Sequence, residues 1–175
     1  MLYLLGEFES FRLFFYFYFK IKSVKMENIF SSEGVKTFLD RIDKLTPETK
    51  AKWGKMNVSQ MLAHCNVTYE MCYETKHPKP NGLVRFILKV FVKKFVTNDV
   101  PYKKGGKTAP QFIITDQKVF ETEKERLKNY IIKTQLLGDL YFEGKESISF
   151  GNLTSKEWNN MFSKHLDHHL NQFGV

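Results

Sequence analysis

The sequence predicts an all-α fold, a four-helix bundle with a long crossover and an inserted basic helix. Three observations carry that prediction. Apolar residues recur at helical spacing in four long stretches, and two of these open on a capping box. No segment alternates convincingly between apolar and polar residues, and Gln111 to Thr115 is the one short strand candidate. At 175 residues, 42% hydrophobic and 26% charged, the chain suits a single domain with a real core and is too apolar for intrinsic disorder.

The first helix is expected over 32–44, where Val35, Phe38, Leu39 and Ile42 follow the capping residues Ser31 and Ser32. Thr46-Pro47-Glu48 places a cap before a proline, which predicts one short turn. Asn57-Val-Ser-Gln60 reads as a capping box opening a helix to about Glu74, with Val58, Met61, Leu62, Cys65, Tyr69 and Cys72 on one face. The breakers from His77 to Gly82 end it. From Leu83 to Val96 the chain is apolar except for Arg85, Lys89, Lys93 and Lys94, a helix with a cationic edge.

Asn98 to Pro110 is a long loop rich in breakers, of the kind that is functional or mobile in compact domains. Asp116 is a candidate cap for the next helix, which Val119, Phe120, Leu127, Tyr130 and Ile131 carry to about residue 136. Gly138 to Leu153 reads as loop. Thr154-Ser-Lys-Glu157 is a second capping box, and the last helix runs from there to about Phe173.

The division expected is an extension over 1–25 and a helical domain over 26–175. Residues 1–25 hold nine of the 27 aromatics, but their longest charge-free run, between Arg12 and Lys20, is seven residues. A spanning helix needs about 20. A signal peptide fits poorly, because Glu7 and Glu9 come first and Lys20 and Lys22 follow the apolar run. Two readings remain: translation starts at Met26, or the segment is an interfacial anchor finished by Lys20, Lys22 and Lys25, the one route to a membrane expected from the sequence.

The formal net charge is +8, and its location matters more than its size. Residues 76–107 carry nine bases and one acid, whereas 26–75 carry six and seven and 108–175 carry eight and nine. The excess is local. Cys65 and Cys72 lie about 10 Å apart along one helix, too far to bridge each other, and two cysteines do not make a disulfide scaffold. A reducing, cytoplasmic setting follows as the expectation.

Three of the five histidines fall within Lys164-His-Leu-Asp-His-His-Leu-Asn-Gln-Phe-Gly174. At about 100° per residue, His165 and His169 project within about 40° of each other, so both imidazoles can reach one metal ion. Trp158, Phe162 and Gln172 share that stripe, whereas Asp167 points nearly the opposite way. His64, mid-helix in Met61-Leu-Ala-His-Cys65, is the natural third ligand. Three neutral imidazoles suit zinc, nickel or a similar divalent ion and leave a coordination position open for water or substrate. A zincin motif is excluded, since Leu166 stands where the catalytic glutamate would be.

With His64 and the segment from His165 to Gln172 assembled on a helical bundle, the chain resembles the DinB-like (YfiT-like) superfamily of four-helix metalloenzymes. Thr154 to Trp158, the terminal His165-Leu-Asp-His-His-Leu-Asn-Gln-Phe-Gly174 and the Lys107-Thr-Ala-Pro110 loop are similar to a branch known as a domain of unknown function. The resemblance covers about Ile29 to Val175. It implies His64, His165 and His169 as metal ligands and His168 as a neighbour. It departs at Leu170-Asn171-Gln172, where the superfamily often has Arg-Gly-Gln, and at Glu146 to Gly151, which lacks an expected His-Pro.

The resemblance also implies a metal-dependent transferase or hydrolase acting on a small molecule, in which zinc, or nickel, activates a low-molecular-weight thiol or water. The residues name no general base; Gln172 is a candidate to hold a ligand histidine, and Tyr69 and Tyr73 are candidates to approach the pocket. A homodimer is left open. The alternative is a non-enzymatic binding protein using helix 83–96 and loop 103–107 for anionic partners. Nucleic acid is disfavoured among these, for the basic run lacks aromatic interleaving and any nucleic-acid motif. A third reading has the histidines merely buried and hydrogen-bonded.

Overall fold

A computed structural model describes residues 26–175; both readings of the first 25 residues lie outside it. The first helix, α1 (Ser32–Asp43), starts where the Ser31 side chain accepts from Gly34 N, and buries Val35, Phe38 and Ile42. A single turn follows, closed by Thr49 N–H on Thr46 O at 3.0 Å. In α2 (Val58–Tyr73) the Asn57 and Gln60 side chains cap each other's backbone reciprocally, as the sequence predicts. This helix is buried nearly all round. His64, Asn66, Thr68 and Glu70 are enclosed along with the apolar face.

The basic segment is broken into α3 (Gly82–Ile87), a π-helical turn over Leu88–Val92, and α4 (Lys93–Thr97), with Lys93 N–H reaching back to Leu88 O. Four sequence expectations are corrected beyond it. Gln111–Thr115 is no strand: Pro110–Phe112 forms a 3-10 turn instead. The next helix, α5 (Phe120–Phe142), starts after an uncapped Val119, while Asp116 pairs with Lys118 at 2.8 Å. It does not stop near residue 136 but breaks at Gly138 (φ 74°) and resumes for a turn that buries Phe142.

The region read as a loop holds the two strands among the described residues, β1 (Glu146–Ser147) and β2 (Gly151–Asn152), an antiparallel pair. The last helix, α6 (Ser155–Phe173), opens on the predicted Thr154–Glu157 capping box and ends on left-handed Gly174 (φ 83°).

The fold is all-α apart from that hairpin. α5 packs on α1, α2 and α6, and α6 also contacts α1, α2 and α4. Phe38, Leu62, Tyr69, Ile131, Trp158 and Phe162 close the core between them. Apolar burial at roughly 25 cal/mol per Å² makes this shared core the main stabilising term, and it holds α2 against α6 along the length that carries the histidines. No helix among the described residues is long and apolar enough to cross a membrane.

Candidate metal centre

His64 projects from the middle of α2, and His165 and His169 project from successive turns of α6. Packing of α2 on α6 brings the three rings together, with centroid separations of 4.9, 4.5 and 4.8 Å. One nitrogen from each lies within 4.8 Å of the others, and Nε2 of His64 stands 3.0 Å from Nε2 of His165. His64 and His169 are buried and His165 is partly exposed.

The outer nitrogens are each engaged. His64 Nδ1 meets Phe112 O at 2.7 Å, His165 Nδ1 meets Thr68 Oγ1 at 2.9 Å, and His169 Nδ1 meets Gln172 Oε1 at 2.8 Å. Two of these contacts fix a tautomer. A backbone carbonyl only accepts, so His64 carries its proton on Nδ1. The Gln172 amide donates from Nε2 to Trp53 O at 2.7 Å, which leaves Oε1 as an acceptor, so His169 is also protonated on Nδ1.

Protonation of the inner nitrogens is opposed by the surroundings. Burial lowers the pKa of His64, against the pull of the Phe112 carbonyl. Burial and the neighbouring His169 and His64 hold His165 well below the usual range. His169 is driven down to about 3, by burial first and by His64 next. All three are therefore neutral near pH 7. Neutral His64 and His169 aim bare Nε2 lone pairs inward, and only His165, whose partner Thr68 is a hydroxyl, is free to choose its tautomer.

The remaining residues singled out in the sequence lie elsewhere. Asp167 turns away and pairs with Arg41 at 2.8 Å. Tyr69 stacks between Tyr130 and Phe162, and Tyr73 OH bonds Thr134, so neither tyrosine joins the centre. His168 packs edge-on against Trp53 and Tyr102 beside a cavity of about 210 Å³. Phe112, from the 98–119 loop, packs against the rings of His64 and His165. Gln172 takes the supporting place the sequence suggests. Thr68 and the Phe112 carbonyl are additions that no local motif announces.

A family model described as "Protein of unknown function (DUF1569)" matches residues 30–174. No curated protein and no solved structure matches the chain. The match takes in α1 through α6, including all three clustered histidines, and the chain belongs to this family of unknown function.

Proposed function

We propose that His64, His165 and His169 hold one divalent metal ion, zinc first and nickel as the alternative, in a DinB-like four-helix bundle formed by α1, α2, α5 and α6. The observation that carries this reading is the pair of fixed tautomers, which direct two bare Nε2 atoms at a common point with His165 beside them. Two converging lone pairs repel unless a donor or a cation lies between them. His165 can donate to one of them, His64, at 3.0 Å, and His169 Nε2 then has no donor from this triad.

The donor set suits the ion. Tetrahedral zinc with Zn–N bonds of about 2.0–2.1 Å places its nitrogens about 3.4 Å apart, so the observed separations require side-chain adjustments of only an ångström or so. Each ring is already oriented by an oxygen on its far side, the arrangement that fixes ligand histidines in metal sites. A metal held by three imidazoles supplies an open Lewis-acid position where water or a small thiol is made nucleophilic near neutral pH.

The chain's own residues orient that position: Phe112 packs against two of the rings, and Thr68 and Gln172 set their angles. The reading is therefore a metal-dependent transferase or hydrolase for a small molecule. Metal analysis of purified wild-type protein, beside His64→Ala and His165→Ala variants, tests it. About one equivalent of zinc or nickel is expected in the wild type and loss in both variants; absence of stoichiometric metal from the wild type removes the proposal.

A further inference from the structure

The segment from Gly82 to Thr97 turns its apolar side outward. Leu83, Phe86 and Phe91 are 72%, 62% and 73% exposed, and Val84, Ile87, Val90 and Phe95 are exposed with them. Its inner side is held by polar contacts: Arg85 pairs with Glu146, Lys93 pairs with Glu157 at 2.8 Å, and Lys164 Nζ donates to Phe95 O at 2.7 Å. The segment is thus anchored to the body by ion pairs and capped carbonyls while its large hydrophobic side chains face solvent. A contiguous patch of this kind marks an interaction surface.

The exposed charge on this segment and the loop after it is one-sided. Lys89 and Lys94 are exposed on the segment, Lys103 and Lys107 on the loop after it, and none of the four makes an ion pair among the described residues. Tyr102 lies against Phe95, ring centroids 5.3 Å apart, which ties the start of that loop to the helix. Of the nine bases over 76–107, Lys76, Lys79, Arg85 and Lys93 are ion-paired, and Lys104 joins the other four as positive charge beside the apolar side chains.

We propose that this face docks on an anionic lipid surface, with Leu83, Phe86 and Phe91 entering the headgroup boundary and the lysines meeting lipid phosphates and carboxylates. An amphipathic helix needs both components for such binding: apolar area to insert and basic charge to hold it at an anionic leaflet. A second copy of the chain fits this face less well, because it sets one strongly basic segment against another. Nucleic acid would satisfy the lysines but leave Leu83, Val84, Ile87 and Val90 without a partner. This surface is separate from the histidine cluster and does not rest on the metal reading.

Vesicle co-sedimentation of the full chain tests the proposal, with phosphatidylcholine alone and with one-third phosphatidylserine. Wild type is expected to bind the anionic vesicles about ten-fold or more tightly than the neutral ones, and less at high salt. Phe86→Ser with Phe91→Ser, and separately Lys89→Glu with Lys94→Glu, are each expected to weaken binding about ten-fold or more with the thermal midpoint unchanged. Should the phenylalanine pair fail to fold, the lysine pair still decides.

Wild type that ignores anionic vesicles overturns the proposal, as does binding that the lysine pair retains in full. Two further results overturn it in favour of another occupant: a dimer that the phenylalanine pair dissociates, or salt-sensitive duplex DNA binding, in either case without vesicle binding.

Discussion

Gln172 spans His169 and the backbone of Trp53, its Oε1 accepting from the imidazole Nδ1 at 2.8 Å and its Nε2 donating to the Trp53 carbonyl at 2.7 Å. One buried amide thereby sets both the tautomer and the ring angle of a clustered histidine. Gln172→Leu keeps the approximate volume and removes both bonds. Outer partners of this kind typically contribute 10–100-fold to metal affinity, so a loss of roughly that size is expected in a competitive chelator titration. Stability is expected to fall as well, by about 1–3 kcal/mol, for the donor and acceptor left unpaired.

Metal should couple to folding. An ion that binds the folded chain and not the unfolded one stabilises it by about 2.7 kcal/mol at a free concentration one hundred times Kd. Zinc added to chelator-stripped protein is therefore expected to raise the thermal midpoint, and His165→Ala to abolish the rise. A midpoint insensitive to zinc and nickel in the wild type would contradict the site.

Glu70 gives a pH signature away from the histidine cluster. Burial raises its pKa, but bonds from Lys76, His77 and Arg126 outweigh that and the net shift is downward. A carboxyl whose folded pKa lies below its unfolded value, about 4.3, stabilises the fold fully above that value and progressively less as pH falls through the folded pKa. Acid titration of unfolding should show this loss below about pH 4. Glu70→Gln is expected to be less stable at neutral pH and to show a shallower acid slope.

Two glycines separate packing from helix propensity. A Cβ on Gly34 would meet the Asn28 carbonyl oxygen at 2.2 Å, a backbone atom that cannot swing aside, whereas a Cβ on Gly82 meets nothing within 4 Å. Alanine lowers unfolded-chain entropy by about 0.4–1 kcal/mol at either position. Gly82→Ala should therefore be neutral or slightly stabilising, and Gly34→Ala destabilising by about 1–3 kcal/mol in chemical denaturation. Equal effects at the two positions would mean that Asn28 moves aside freely.

What the sequence disclosed follows from the range of the interactions involved. The capping boxes at Asn57–Gln60 and Thr154–Glu157 are set within four residues, and both helices start where those residues require. The four-residue spacing of His165 and His169 likewise places both on one face of α6. Thr68 and Phe112 are not legible in the sequence because they reach their histidines across 97 and 48 residues, separations that no local pattern encodes. Periodicity also defined two faces for the 83–96 helix but not which one turns inward. The inward side is the one that pairs with Glu146 and Glu157, and neither acid lies near the helix in sequence.

Lys164, one residue before His165, holds the end of that segment from the inside. It is 2% exposed, with Nζ donating to Phe95 O at 2.7 Å, Asn98 O at 2.9 Å and Asn98 Oδ1 at 2.8 Å. Burial, only partly offset by Asp99, lowers its pKa to about 8. These bonds close the C-terminal end of α4, where carbonyls would otherwise lack partners, and tie it to α6. Lys164→Met fills the space but strands two backbone carbonyls, which should cost about 2–4 kcal/mol in thermal unfolding. Hydrogen exchange locates the effect: amides of α4 and the turn at Asn98 should exchange faster than those of α1. Uniform loss of protection across α1 and α4 would instead assign Lys164 to the core as a whole.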